Sequence, residues 1–328
     1  MPDPQMMIFA GLVLLTYTSL VIVRKHDAWM VWAIAFVGAS FCLRYSIDAS
    51  AVRDFAPYYN SLLKVKYGEV PTELYFEPYR MVIFQIIILV GGLSDQTQIA
   101  AVYYIHFFIV TAFFLWLSRR PNITFELKLI LFLGFYATIA FVWLRAGMGY
   151  IASCFLMIKF AEGKWRGIKF ALPLFHASTV PLVLARTIEN YRLHFKVIII
   201  LVAAAGAFVL LETGYAQYLT YKIERYSETS AKRDSFNLLL FNLANIAVFF
   251  YFAATSRRFR TNFIVLVLMA TTLLVYFVSP IMGVRMFPFV LIAAIIQGIP
   301  FRRFKALSVV ICLGYVPIYF ARFDQILS

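Results

Sequence analysis

Long apolar runs follow one another along almost the whole chain. They cover residues 5–23, 28–43, 79–93, 99–118, 127–143, 146–161, 196–212, 236–254, 263–280, 284–299 and 305–321. About 20 apolar residues in an α-helix cross the hydrocarbon core of a bilayer. With 62% hydrophobic and 14% charged residues, the chain also lacks the polar surface that a soluble fold needs. We therefore predict an all-α polytopic membrane protein, a single integral membrane domain over 1–328 with about eleven to thirteen transmembrane or re-entrant helices.

One further apolar segment, 168–187, contains Pro173 and Pro181 with His176 and Ser178 between them. Proline removes a backbone donor and breaks the hydrogen-bond ladder of a helix. Such a break is tolerated at membrane depth where protein or a water-filled cavity satisfies the backbone. The segment is predicted to be either one kinked span or two half-helices of a re-entrant hairpin.

The formal net charge of +14 comes from short basic loops with few carboxylates. They are Arg24-Lys25, Lys164/Arg166/Lys169, Arg257-Arg258/Arg260 and Arg302-Arg303/Lys305. Such loops are typical of the cytoplasmic side, which places the N-terminus and the connectors 44–78 and 213–235 outside. Strict alternation from residue 44 then leaves Arg119-Arg120 outside, unless a second re-entrant element occurs between 44 and 126. No nucleic-acid-binding motif accompanies the basic charge.

Two isolated arginines stand at the predicted exterior ends of apolar runs. Arg145 lies in Trp-Leu-Arg-Ala-Gly-Met-Gly-Tyr, and Arg285 lies in Met-Gly-Val-Arg-Met-Phe-Pro. An ionisable group at this depth costs several kcal/mol, roughly 2.5–3.5 on insertion scales. Snorkelling to the interface is the alternative reading for each one. Because the guanidinium fork suits phosphate, we interpret the pair as an anion site.

His176 differs from a core histidine in having Ser178 and proline-freed backbone beside it, whereas His106 is interpreted as a core residue. His176 is therefore a candidate base, hydrogen-bond donor or substrate contact.

The connector 44–78 alternates aromatic rings with charged groups. It contains Arg44-Tyr45, Asp54-Phe55, Tyr58-Tyr59, Glu73 and Glu77-Pro78-Tyr79-Arg80. Rings can stack on sugar faces, and a carboxylate can deprotonate an attacking hydroxyl. An interfacial aromatic belt with ordinary loop charges is the alternative.

No Walker motif, CxxC or HExxH sequence is present. Cys42, Cys154 and Cys312 each lie within an apolar run, where a buried small side chain is expected. We therefore predict no metal site and no cofactor.

In their order along the chain, several of these motifs resemble the EpsG-like branch of the Wzy-type polysaccharide polymerases. The matching residues are Arg44-Tyr45, Asp54-Phe55 with Tyr58, Glu77-Pro78, Arg145 at the start of a helix, and Phe175-His176 with Ser178. Arg285 resembles a late arginine of that family. In the family the aspartate follows shortly after a glycine, close behind Arg-Tyr. Asp48 lies nearer that position, whereas Asp54 has the better aromatic context, so Asp48 is an alternative to Asp54.

The resemblance implies a metal-independent glycosyltransferase of GT-C-type fold in the bacterial cytoplasmic (inner) membrane. Such an enzyme joins polyprenyl-diphosphate-linked oligosaccharides at the exterior face, with membrane lipid and a chain-length regulator protein as partners and no nucleic acid. The residue roles implied are as follows: His176, Glu77 and Asp54 catalytic; Arg145, Arg285, Arg44 and Arg80 diphosphate-binding; Tyr45, Tyr58 and Ser178 substrate-binding.

Two other classes of membrane protein remain alternatives. A membrane O-acyltransferase that modifies surface polysaccharide has similar length, but it ordinarily carries a His near an Arg in its first helix, and span 5–23 has neither. A polytopic transporter or lipid flippase would suit the broken helix, but the chain shows neither an inverted repeat nor a paired carboxylate relay.

Overall fold

The computed structural model describes residues 4–52, 55–71, 74, 78–141, 144–161, 166–176, 179–189, 191–192, 194–199, 201–202, 236–257, 259, 262–278, 286–293 and 305–326. Every regular element in these ranges is helical, which confirms the predicted all-α class. Within the described ranges, three helices are long and apolar enough to cross a membrane: Pro4–Ile22, His26–Tyr45 and Asp95–Ser118. The count of eleven to thirteen elements stays a prediction.

The chain divides into two compact units, one formed by Met1–Thr179 with Pro300–Ser328 and the other by Val180–Ile299. The first unit contains α1 (Pro4–Ile22), α2 (His26–Tyr45), α3 (Phe55–Lys66), α4 (Pro78–Val90), α5 (Asp95–Ser118), α6 (Phe125–Phe141), α7 (Leu144–Ala161), a 3-10 helix (Arg166–Leu174) and the C-terminal helix (Lys305–Ile326). The second contains α8 (Val180–Ile188) and the helices Phe236–Thr255 and Phe263–Val278. That residues 1–328 act as one membrane domain stays a prediction.

Stacked aromatic rings form the core of the first unit. Tyr17 of α1 lies parallel to Phe132 of α6 at a centroid distance of 3.9 Å, and Phe132 stacks on Tyr136 at 4.7 Å. Phe114 of α5 meets the same two α6 rings edge-on. Each such pair adds about 0.5–1.5 kcal/mol to the burial of its surface, so these rings fix how the helices pack.

Helix directions follow from pairs of residues at the two ends of α2 and α5. The indole nitrogen of Trp29 donates to Ser118 Oγ at 3.1 Å, whereas Phe41 lies 6.4 Å from Tyr104 between ring centroids. The two helices are therefore antiparallel, and α5 ends beside the start of α2. Arg24 and Arg119 consequently line one cavity at the same end of the unit.

The chain between Tyr45 and Asp95 therefore begins and ends at one end of the unit. Whether the chain alternates strictly from residue 44 or has a second re-entrant element between 44 and 126 stays a prediction, and the short length of α4 favours the second. At about 1.5 Å per residue α4 is roughly 20 Å long, short of the ~30 Å hydrocarbon core. Gly91 and Gly92 adopt φ +66° and +70°, a left-handed backbone that ends α4 before the predicted residue 93.

The connector 44–78 is not an open loop. Arg44 and Tyr45 form the last turn of α2, and α3 occupies Phe55–Lys66. Because α3 buries Tyr58 and Leu62 at helical spacing, packing on one face stabilises it without a long apolar run.

The predicted break in 168–187 lies between the 3-10 helix, which ends at Leu174, and α8, which begins at Val180. The Thr179 backbone N–H and hydroxyl both donate to the His176 carbonyl, at 3.1 and 2.8 Å. Pro181 falls in the first turn of α8, where a missing N–H costs no helical bond.

In the second unit, Asn262 caps the Phe263–Val278 helix by accepting from the backbone N–H of Ile264 at 2.9 Å. Its amide also donates to Glu189 Oε1 at 3.3 Å, and Glu189 forms an ion pair with Arg186 at the end of α8. The predicted exterior connector 213–235 lies outside the described residues.

Candidate functional site

Arg44 is buried at the end of α2, with 1% of its surface exposed. Its Nη1 donates to the Ile47 carbonyl at 3.2 Å, and its guanidinium carbon lies 5.1 Å from the ring centroid of Tyr104 and 5.7 Å from that of Tyr103. Within the part of the chain that the structure describes, no carboxylate forms an ion pair with it. Aromatic faces and a carbonyl compensate this charge together with the electrostatic attraction of the nearby Asp48 carboxylate, and the guanidinium can still attract an anion.

Arg80, in the first turn of α4, is the second buried guanidinium, with 3% exposure. Its guanidinium carbon lies 5.4 Å from the Tyr58 ring and 5.8 Å from the Phe84 ring. Tyr58 meets Tyr103 edge-on at 6.2 Å, and Tyr103 in turn contacts Arg44. We call Arg44, Tyr58, Arg80, Tyr103 and Tyr104 the arginine cluster.

The arginine cluster lies far from the end of the unit that carries Arg24. Arg44 follows the first residue of α2 by eighteen positions, which is about 27 Å along a helix. In a bilayer with a hydrocarbon core of ~30 Å, that distance reaches the opposite interface. Arg44 and Arg80, the two buried cations of the arginine cluster, therefore lie at the predicted exterior end.

The aromatic residues predicted to bind substrate lie in different environments. Tyr58 is 4% exposed and contacts Arg80, whereas Tyr45 is 77% exposed. Tyr58 is thus a wall of the arginine cluster, and Tyr45 is free to meet a ligand or lipid. Whether either binds a sugar stays a prediction.

Asp48, the alternative to Asp54, caps the short 3-10 helix that follows α2. Its carboxylate accepts from the backbone N–H and the hydroxyl of Ser50, at 2.9 and 2.6 Å. These hydrogen bonds stabilise the charged form and hold the pKa of Asp48 below its usual value. Whether Asp48 or Asp54 corresponds to the aspartate of the family stays a prediction.

A second group of contacts joins α4, α7 and the break before α8. The Tyr79 hydroxyl donates to the carbonyl of Leu144, the first residue of α7, and the Tyr79 ring lies 5.7 Å from that of Phe175. Half-buried His176 packs against Gly149 of α7, where an added Cβ would lie 2.7 Å from the His176 Cβ. These contacts bring the first turn of α4, α7, Phe175 and His176 together.

His106 lies on the α5 face that also carries Tyr103, one helical turn away. It is 3% exposed, and its Nε2 lies 2.6 Å from the Ile139 carbonyl. The interpretation of His106 as a satisfied core histidine is confirmed.

Several predicted site residues fall where no side chain is described. Asp54, Glu77, Ser178 and Arg285 lie outside the described residues, and Arg145 is described as the second residue of α7 without its side chain. Their roles stay predictions.

Sequence reasoning missed Tyr103, Tyr104 and Gly149. The two tyrosines lie in an apolar run that reads as an ordinary span, and their pairing with Arg44 depends on the packing of α2 against α5. Gly149 did carry a signal, because two glycines in Arg-Ala-Gly-Met-Gly-Tyr indicate a close approach of another element.

Comparison with protein-family models, with curated proteins and with solved structures gives no match.

Proposed function

We propose that this protein is a polysaccharide polymerase that joins polyprenyl-diphosphate-linked oligosaccharide repeat units at the exterior face of the bacterial cytoplasmic membrane. The observation that carries the proposal is the arginine cluster, in which Arg44 and Arg80 are buried among aromatic rings at the predicted exterior end. A lipid-linked diphosphate is an anion that reaches this depth. Guanidinium groups recognise it through paired N–H donors.

In the proposed reaction, an acceptor sugar hydroxyl attacks the anomeric carbon of the donor chain. The new glycosidic bond forms as the bond from that carbon to the lipid diphosphate breaks, and the hydroxyl proton passes to a base. Arg44 and Arg80, with Arg145 and Arg285, would stabilise the charge of the departing diphosphate without a metal. His176, Glu77 and Asp54 are the candidate bases.

The contacts of Tyr79 support a site shared by these residues. Tyr79 stands between Glu77 and Arg80 in the sequence, and it touches both the start of α7 and Phe175. A base on one element and a cation on another must keep a fixed separation during transfer, because small misplacements cost large factors in rate. Tyr79 supplies a contact that can hold that separation.

Gene deletion followed by gel analysis of surface polysaccharide tests the proposal. A polymerase leaves single lipid-linked repeat units and no polymer ladder. Full-length polymer lacking acyl groups would instead identify an acyltransferase. Repeat units held on the cytoplasmic face would identify a flippase, and either result would refute the proposal.

Lysine substitution then tests the role of the arginine cluster. Arg44→Lys and Arg80→Lys keep the charge but lose the planar fork, so polymer made per molecule of enzyme should fall about ten- to a hundredfold, the value of one charge-assisted contact of roughly 1.5–3 kcal/mol. Arg24→Lys, at the opposite end of the unit, is the matched control. Near-normal synthesis by both cluster variants would refute the diphosphate role.

A further inference from the structure

A basic cavity of about 540 Å³ lies at the end of the first unit opposite to the arginine cluster. Its charged lining comes from the α1–α2 turn, the α5–α6 turn and the first turn of α6. These residues are Arg24, Arg119, Arg120 and Lys128. Among the described residues that line the cavity there is no Asp or Glu. Its volume is that of an ordinary small-ligand site, about 300–1,000 Å³.

Aromatic rings position two of these cations. The guanidinium carbon of Arg119 lies 4.3 Å from the centroid of Trp29, and that of Arg120 lies 4.3 Å from the centroid of Trp116. Each contact is a cation–π interaction that fixes the position of the guanidinium beside the cavity. Trp29 is itself held by its hydrogen bond to Ser118.

Lys128 gives the cavity a buried cation. It is 6% exposed, and its Nζ donates to the Ser118 carbonyl at 2.7 Å. The positive charge of Arg120 also acts against that of Lys128. Gathering like charges around one space costs energy, which a bound anion recovers.

Apart from Ser118, the rest of the lining is mostly apolar. This part of the wall is formed by Val21 and Val23, at the end of α1, and by the exposed ring of Phe125. Cations at helix ends beside an apolar wall match a phosphate group that carries acyl chains. A soluble phosphate would use the cations alone.

We propose that this basic cavity binds a phosphate group, and that its source is the headgroup of an anionic lipid in the leaflet at this end. The site is separate from the proposed polymerase site, and it does not depend on that function.

Binding to the purified full-length protein in detergent tests the proposal by native mass spectrometry and thermal denaturation. Dioleoyl phosphatidic acid is the probe, dioleoyl phosphatidylcholine is the lipid control, and sodium phosphate is the competitor. Arg24→Gln removes an exposed lining cation, and Lys25→Gln removes the adjacent cation, which does not line the cavity. This pair changes net charge equally in the same turn.

Phosphatidic acid should bind the wild-type protein and raise its melting temperature, whereas phosphatidylcholine should not. Arg24→Gln should weaken binding about tenfold, and Lys25→Gln should change it less than twofold. Arg119→Gln, a second lining variant, should match Arg24→Gln. If millimolar sodium phosphate displaces phosphatidic acid, the cavity recognises phosphate from a soluble source. If sodium phosphate does not displace it, the lipid headgroup is supported as the source. Equal affinity for both lipids, or equal losses in Arg24→Gln and Lys25→Gln, would overturn the proposal.

Discussion

Replacing Gly149 by alanine tests whether His176 depends on close packing against α7. An alanine Cβ at this position would lie 2.7 Å from the His176 Cβ and 3.3 Å from Thr179 Cγ2. Carbon atoms pack best at about 3.5–4.0 Å, so the two elements must separate by roughly 1 Å. The His176 Cβ is bonded directly to the backbone, so a change of rotamer cannot relieve the overlap.

The expected cost is about 1–3 kcal/mol of overpacking, against which alanine gains up to ~1 kcal/mol over glycine in a helix. Gly38→Ala is the matched control, because nothing lies within 4 Å of a Cβ at Gly38 in α2. The difference between the two variants therefore isolates the contact with His176. Gly147→Ala should fall between them, because its nearest neighbour, Ile139 Cγ2 at 2.9 Å, is slightly farther away than the His176 Cβ is from Gly149 and lies one bond farther from the backbone.

Thermal denaturation of each purified variant in one detergent measures the effect. Gly149→Ala should melt several degrees below Gly38→Ala, and its polymer synthesis should fall more than its stability explains if His176 acts at the site. A Gly149→Ala variant as stable as Gly38→Ala would refute the packing argument. If Gly149→Ala and Gly38→Ala make equal amounts of polymer at equal protein level, His176 does not take part in the reaction.

Three further predictions follow from single contacts. His106→Ala should lower stability by about 1–3 kcal/mol in a denaturation assay, because it leaves a buried carbonyl without its donor. Tyr79→Phe should cost about 0.5–1.5 kcal/mol, whereas Tyr45→Phe, at an exposed ring, should cost nothing measurable. In a chain without native cysteines, Glu69→Cys should react with an impermeant maleimide on whole cells, and Lys25→Cys should react only after permeabilisation.

Each of these has a result that would contradict it. An alanine at position 106 without effect on melting would mean that its carbonyl partner finds another donor. If Tyr79→Phe and Tyr45→Phe are equally stable, the Tyr79 hydroxyl does not stabilise the contact with α7. Labelling of Lys25→Cys on intact cells would mean that the α1–α2 turn faces the exterior, opposite to the prediction.

The apolar runs predicted the helices well because burial in lipid or in a bundle core selects composition residue by residue. The run 99–118 lies within α5, and the run 28–43 lies within α2. The boundaries that failed were set by backbone geometry, as at Gly91, where a left-handed residue ended α4 early. Helix α3 was missed because its stability comes from packing of Tyr58 and Leu62, which an apolar run does not report.

The candidate site was predicted in part for a similar reason. Arg44 and Arg80 were predicted from the aromatic and charged pattern of the connector 44–78 and from the family resemblance. Such a pattern indicates that a charge needs a partner. The pattern does not identify the partner, because Tyr103 lies on another helix and looks like any other residue of an apolar run. His106 shows the same limit, because its acceptor on α6 is set by tertiary packing alone.

The two basic regions of the first unit should respond differently to salt. At 4 Å, two unit charges interact by about 1 kcal/mol in bulk water and about 4 kcal/mol at an effective dielectric constant near 20. Arg44 is 1% exposed, so its attraction for a diphosphate falls near the larger value, whereas Arg24 is exposed to solvent. The Debye length shortens from ~10 Å at 0.1 M salt to ~3 Å at 1 M, which screens exposed charges far more than buried ones. Phosphatidic acid binding at the basic cavity should therefore weaken steeply over this range, while polymer synthesis in isolated membranes should retain its dependence on Arg44. Equal salt sensitivity of the two measurements would mean that the arginine cluster is open to solvent when it works, and the argument from burial would fail.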